Sequence, residues 1–230
     1  MSMEIISRYL EKNPEKTIFI ARELYLKKFS EMTEASFLKT MERMNQMGKL
    51  IRLSRGVYCK PRQTRFGAVP AGEYEITAYF IGDNNRYGFE TGYRLYNKYR
   101  LTTQISKQIE IYTQKSHVTQ GKIKNIRLNK LTSFYQPEML PTIELLEILE
   151  NYQKIEDFNQ RNFIAYCNKI VKNFDENIFA RIYDQMGYKK RTIAFLKEIL
   201  DAYGIRNTLK QYLNATSKYN IPQWESKYGA

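Results

Sequence analysis

A helical stripe that runs directly into a glycine-centred hairpin constrains this chain more than any other feature. Phe37, Met41 and Met44 recur at i, i+4 and i+7 with Leu38 beside them, which gives a helix one apolar face. Thr33 has the chemistry of an N-cap, Glu34 falls in the first turn where the helix dipole favours negative charge, and Gly48 follows Met47 as a stop. Two β-prone runs come next, Leu50-Ile51-Arg52-Leu53 and Val57-Tyr58-Cys59-Lys60, around Ser54-Arg55-Gly56, and Gly56 is free to adopt a positive φ. Upstream, Ile5, Ile6, Tyr9 and Leu10 mark a first helix ended by Asn13-Pro14. Residues 18–28 mark a second short helix reached through an extended segment.

Three helices and a basic hairpin predict a winged helix-turn-helix over residues 1–65. In such a module the third helix enters a major groove while the hairpin reaches the neighbouring backbone or minor groove. The residues expected at the DNA are Ser36, Lys39, Thr40 and Arg43 on the helix, and Arg52, Arg55, Lys60 and Arg62 on and after the hairpin. Gln46 continues the outward stripe of Ser36, Lys39 and Arg43. Between residues 49 and 65 stand six cations, Lys49, Arg52, Arg55, Lys60, Arg62 and Arg65, and the first acidic residue after Glu42 is Glu73. The whole chain carries 37 Lys and Arg against 24 Asp and Glu, a net charge of +13, which suits a polyanionic partner.

The remaining sequence predicts a small α/β unit and then a helical region, so the fold class expected is α+β. Residues 64–72, with Gly67, Pro70 and Gly72, have the composition of a domain junction. A helix is expected over residues 73–81 and another after Gly92, with Gly88 and Gly92 serving as turn and helix-packing residues. Strands are expected at 108–112 and at 123–128, and helices over 143–152, 158–172, 178–186, 192–203 and 208–213. The domains expected are therefore 1–65, 66–215 and an irregular tail, 216–230. A second basic surface is expected at Lys122, Lys124 and Lys130 in a stretch that also holds Lys115 and Arg127. It reads either as solvated lysines guarding an edge strand, or as an extension of the DNA footprint or a contact to a nucleic-acid substrate that a toxin would otherwise modify.

The residue inventory argues against an enzyme. Two distant cysteines, Cys59 and Cys167, and a single histidine, His117, assemble neither a disulfide framework nor a Cys/His zinc site. A Glu-x-Lys nuclease core starting at Glu110 would need Lys at 112, where Tyr stands. No Walker-type phosphate loop or nucleophile elbow occurs, and no cofactor is expected. Cys167 is expected in the core. The absence of a signal-peptide pattern and of a long apolar run gives the expectation of a cytoplasmic protein without membrane contact.

The segments Gly48-Lys49-Leu50-Ile51-Arg52-Leu53-Ser54-Arg55-Gly56-Val57-Tyr58, Tyr87-Gly88-Phe89-Glu90-Thr91-Gly92-Tyr93 and Leu101-Thr102-Thr103-Gln104 resemble the AbiEi family. These are antitoxins of type IV toxin–antitoxin systems in bacterial abortive infection, and the similarity spans roughly residues 3–200. The resemblance implies a transcriptional autorepressor that binds inverted repeats in its own promoter. It also implies a C-terminal domain that opposes a nucleotidyltransferase-like toxin without a stable complex with it. An RNA- or ribosome-associated basic protein is the alternative that the same charge allows.

Overall fold

The fold begins with three helices whose apolar faces meet. In the computed structural model, which describes residues 2–115, 121–132 and 134–224, α1 spans Ser2–Glu11. Strand β1 (Ile18–Ile20) leads into α2 (Ala21–Leu24), which continues as a π-helical turn, Tyr25–Phe29, and α3 covers Glu34–Gln46. The Thr33 hydroxyl accepts from the Ser36 N–H at 3.3 Å, so the cap expected from sequence forms, and Gly48 leaves the helix with φ +70°. Phe37, Met41 and Met44 are fully buried with Ile6, Leu10, Leu24 and Phe29. Each such side chain contributes about 1.5–3 kcal/mol by leaving water. Phe29 stacks on Phe37 at 5.5 Å, and Tyr9 meets Phe29 edge-on. Leu38, expected beside the stripe, is instead exposed.

Strands β2 (Ile51–Ser54) and β3 (Val57–Cys59) form the hairpin about Gly56, and β3 also pairs with β1, giving an antiparallel sheet of order β1-β3-β2. Ile18 and Ile51 both lie opposite Cys59, while Ile20 and Ser54 lie opposite Val57. The junction expected at residues 64–72 is a second hairpin, β4 (Arg62–Thr64) with β5 (Gly67–Val69). It leads to α4 (Glu73–Ile81), where the Glu75 carboxylate accepts from the Gly72 N–H at 2.8 Å and pairs with Lys16.

The chain forms two compact units, Met1–Gly88 with Ile111–Leu131, and Phe89–Glu110 with Thr132–Ala230. The first unit thus continues past residue 65, because the Ala71 N–H donates to Cys59 Sγ at 3.4 Å and Lys16 holds Glu75. Strand β6 (Gly88–Thr91) and α5 (Tyr93–Lys98) follow. Gly88 is a strand residue rather than a turn residue, and a Cβ there would stand 2.0 Å from the Tyr112 carbonyl oxygen. Strand β7 (Ile109–Thr113) matches the alternation read from sequence. The strand expected at 123–128 is instead two strands, β8 (Gly121–Ile123) and β9 (Ile126–Lys130), because Lys124 turns the chain with φ +55°. In the first unit β9 lies between β7 and β8.

The second unit is largely helical: α6 (Leu140–Asn151), α7 (Gln160–Ile170), α8 (Glu176–Met186) and α9 (Lys190–Ala202). Helix α6 is buried almost all round, carboxylates included. Glu144 accepts from Lys98 at 2.6 Å and from the Tyr99 hydroxyl. Glu147 accepts from Thr91 and Tyr188, each at 2.8 Å, and Glu150 accepts from Lys189 at 2.5 Å and from Thr192. Burial pushes the Glu147 carboxyl up, against the pull of its two hydrogen bonds. In the tail, Trp224 donates to Glu198 at 3.0 Å and packs against Phe163, Phe195 and Tyr203. Cys59 and Cys167 are buried, and burial pushes both thiols up. His117 lies outside the described residues.

Candidate nucleic-acid interface

Helix α3 separates its residues by period. Phe37, Met41 and Met44 face the core, which turns Ser36, Lys39, Arg43 and Gln46 outward, and all four are exposed. Thr40, expected with them, is only 6% exposed, and its hydroxyl donates to the Ser36 carbonyl at 2.9 Å. It belongs to the flank of the helix that closes on the core, so the exposed polar row is Ser36, Lys39, Arg43 and Gln46.

The first hairpin is fastened to the C-terminal half of this helix by side chains that sequence reading missed. Asn45 Oδ1 accepts the Arg52 N–H at 2.9 Å, and Glu42 Oε2 accepts from the Tyr58 hydroxyl at 3.4 Å. The same carboxylate oxygen lies 3.8 Å from the Arg52 guanidinium, whose Nε also donates to the Ser54 carbonyl at 3.4 Å. Burial pushes the Tyr58 phenol up, which keeps it a donor to Glu42. The Ala21 N–H donates to the Gly56 carbonyl at 2.8 Å and anchors the turn, while the Arg55 side chain remains exposed. Arg52 and Arg55 thereby share one hairpin beside α3.

The other two expected contacts separate. The Lys60 ammonium donates to the Glu11 carbonyl at 2.9 Å and the Asn13 carbonyl at 2.7 Å, closing the C-terminal end of α1. Cations are favoured at that end of a helix, so Lys60 is occupied by the fold. Arg62 is exposed on β4, with Arg65 and Phe66 at the tip of the same hairpin.

The second basic surface divides as well. Lys122 lies directly opposite Arg127, and both are exposed. Lys130 is exposed at the end of β9 but has the parity of Ile126 and Leu128, so it projects to the other face. Lys124 donates to the Ala71 carbonyl at 3.0 Å, and its neighbour Asn125 donates to Glu73 at 2.7 Å, which ties the β8–β9 turn to the start of α4. The expected trio of Lys122, Lys124 and Lys130 does not share one surface. Lys115 is half-buried, with its ammonium 3.5 Å from the Tyr79 ring centre, and burial pulls its pKa down.

Among the described residues no group of three or more His, Cys, Asp or Glu side chains is placed to hold a metal ion, and no helix is long and apolar enough to cross a membrane. No family model matches the chain, and no curated protein matches it. Among solved structures, the Rv2827c protein from Mycobacterium tuberculosis matches with 11% identity over 87% of this chain and 76% of that chain, at a TM-score of 0.46.

Proposed function

We propose that this chain is a DNA-binding transcriptional autorepressor and the antitoxin of a type IV toxin–antitoxin system, whose N-terminal region is a winged helix-turn-helix. The observation that carries the DNA half is the exposed row Ser36, Lys39 and Arg43 on α3, beside a basic hairpin held to that helix through Glu42 and Asn45. A helix fixed in this way presents its side chains to base edges without loss of geometry, and the neighbouring arginines supply the phosphate contacts that set its register. The acid-free run between Glu42 and Glu73 removes local repulsion toward phosphate. The antitoxin half rests on the resemblance to AbiEi proteins, in which the toxin opposed is a nucleotidyltransferase-like protein.

Gel-shift titration of the full chain against the promoter duplex of its own gene, at two salt concentrations, tests the DNA half. Tighter binding to the promoter than to random duplex is expected, and equal binding removes the repressor. Co-expression with the neighbouring nucleotidyltransferase-like gene tests the antitoxin half: rescue of growth is expected, and growth arrest despite expression of the chain removes it.

A further inference from the structure

Among the described residues the hairpin β4–β5 is a two-stranded ribbon in no larger sheet, and almost every residue in it is exposed. A ribbon of this kind is marginal in water by itself. It is held at its base by the Glu15 carboxylate, which accepts from the Gln63 N–H at 3.3 Å, and by the buried Pro61 and Ala71 on either side. At its tip the Thr64 hydroxyl donates to the Gly67 carbonyl at 2.7 Å and accepts from the Phe66 N–H at 3.2 Å. Gly67 completes the turn at φ +112°, where an L side chain would be strained. This turn carries Phe66 with 86% of its surface in solvent, next to Arg65, whose guanidinium lies 4.7 Å from the ring centre. The fixed turn thus holds an aromatic ring out in water beside a guanidinium, an arrangement open to a partner that takes both.

We propose that Phe66 is a wedge for duplex DNA, entering a base step from the minor groove while Arg65 and Arg62 meet the flanking phosphates. The charge of the hairpin selects this partner: Arg62 and Arg65 lie within its eight residues, and no acidic residue does. Minor-groove binders insert apolar wedges such as Phe beside Arg and Lys side chains, and this hairpin carries both, Phe66 with Arg62 and Arg65. The length of the chain allows both hairpins to reach one duplex. Arg55 and Phe66 are separated by eleven residue steps, a span of at most about 40 Å, on the order of one helical turn of DNA. The inference rests on the DNA-binding reading of α3 and adds to it a base step unstacked by Phe66.

The test uses the full chain and promoter duplexes in which 2-aminopurine is stepped one base pair at a time through the footprint, together with end-to-end energy transfer to report bending. Wild type should raise 2-aminopurine emission at one step and shorten the end-to-end distance. Phe66→Ala should abolish both effects and weaken binding about tenfold, whereas Phe66→Leu, which keeps an apolar wedge, should retain most of both. Arg65→Ala should lower the salt slope by about one phosphate. Because Phe66 is exposed, circular dichroism and melting temperature should match wild type in every variant. Promoter binding that depends on Arg43 but shows identical emission and bending in Phe66→Ala overturns the wedge alone. Failure of the wild type to bind any duplex overturns the wedge together with the reading of α3. A Phe66-dependent preference for single-stranded RNA over duplex also overturns it.

Discussion

The Glu42 carboxylate of α3 lies 3.8 Å from the Arg52 guanidinium of β2, so a phosphate that met Arg52 in the proposed interface would compete with Glu42 for it. Both side chains are partly in water, and the pair contributes at most about 1 kcal/mol to stability. Glu42→Gln should therefore leave the melting temperature nearly unchanged. It should tighten binding to any duplex several-fold at low salt and steepen the salt dependence by about one phosphate. Unchanged binding at low salt would place Arg52 away from the DNA.

Arg43 and Arg55 should fail differently. Arg43→Ala on α3 is expected to cost about 1–3 kcal/mol on the promoter and to relax discrimination at one base pair. Arg55→Ala at the hairpin turn is expected to weaken promoter and random duplexes alike and to reduce the salt slope by about one. Titration of both variants on both duplexes at two salt concentrations separates base reading from phosphate contact.

Lys60 should behave as a part of the fold. Lys60→Met keeps the aliphatic stem but removes the donor to the Glu11 and Asn13 carbonyls, and is expected to destabilise the protein by about 1 kcal/mol in chemical denaturation. Its salt slope for DNA should equal that of wild type when the protein is fully folded. A reduced slope would return Lys60 to the interface.

Glu147 should give the second unit a pH signature. Its carboxyl is held above the usual value of 4.5 by burial, so the folded chain retains a proton that the unfolded chain releases. That contribution to stability is fully present below about pH 4.5 and is lost as pH rises through the higher folded value. Other carboxyls, such as Glu75 beside Lys16, titrate in the opposite sense. The comparison is therefore wild type minus Glu147→Gln, and this difference in melting temperature should become less favourable to wild type as pH rises above about 4.5. A difference that does not vary with pH would show that Glu147 titrates normally.

What sequence reading captured was local chemistry. The cap at Thr33, the stop at Gly48 and the turn at Gly56 each depend on residues within four positions, and all three appear where expected. The inward stripe of Phe37, Met41 and Met44 follows from helical period alone. The misses depend on distant or unusual partners. Lys60 is claimed by carbonyls 47 and 49 residues earlier. Thr40 sits close enough to the inner face for its short side chain to bond back to the helix. The β4–β5 turn uses a Thr64 side chain and a following Gly67 in place of an Asn-Gly pair, so its composition reads as a linker. Lys124 adopts a left-handed conformation that is uncommon for a lysine, and it hides the break between β8 and β9. In α6, Glu144, Glu147 and Glu150 at i, i+3 and i+6 among leucines and isoleucines were a readable signal, because a helix apolar on every side must bury its carboxylates too.

The path of the chain through the two units also constrains how they can be separated. Each unit is made from two stretches of sequence, and the stretches alternate along the gene: 1–88, 89–110, 111–131, 132–230. Any single break of the chain takes from one unit or the other a part of its own sequence, so the two are obtained whole only together.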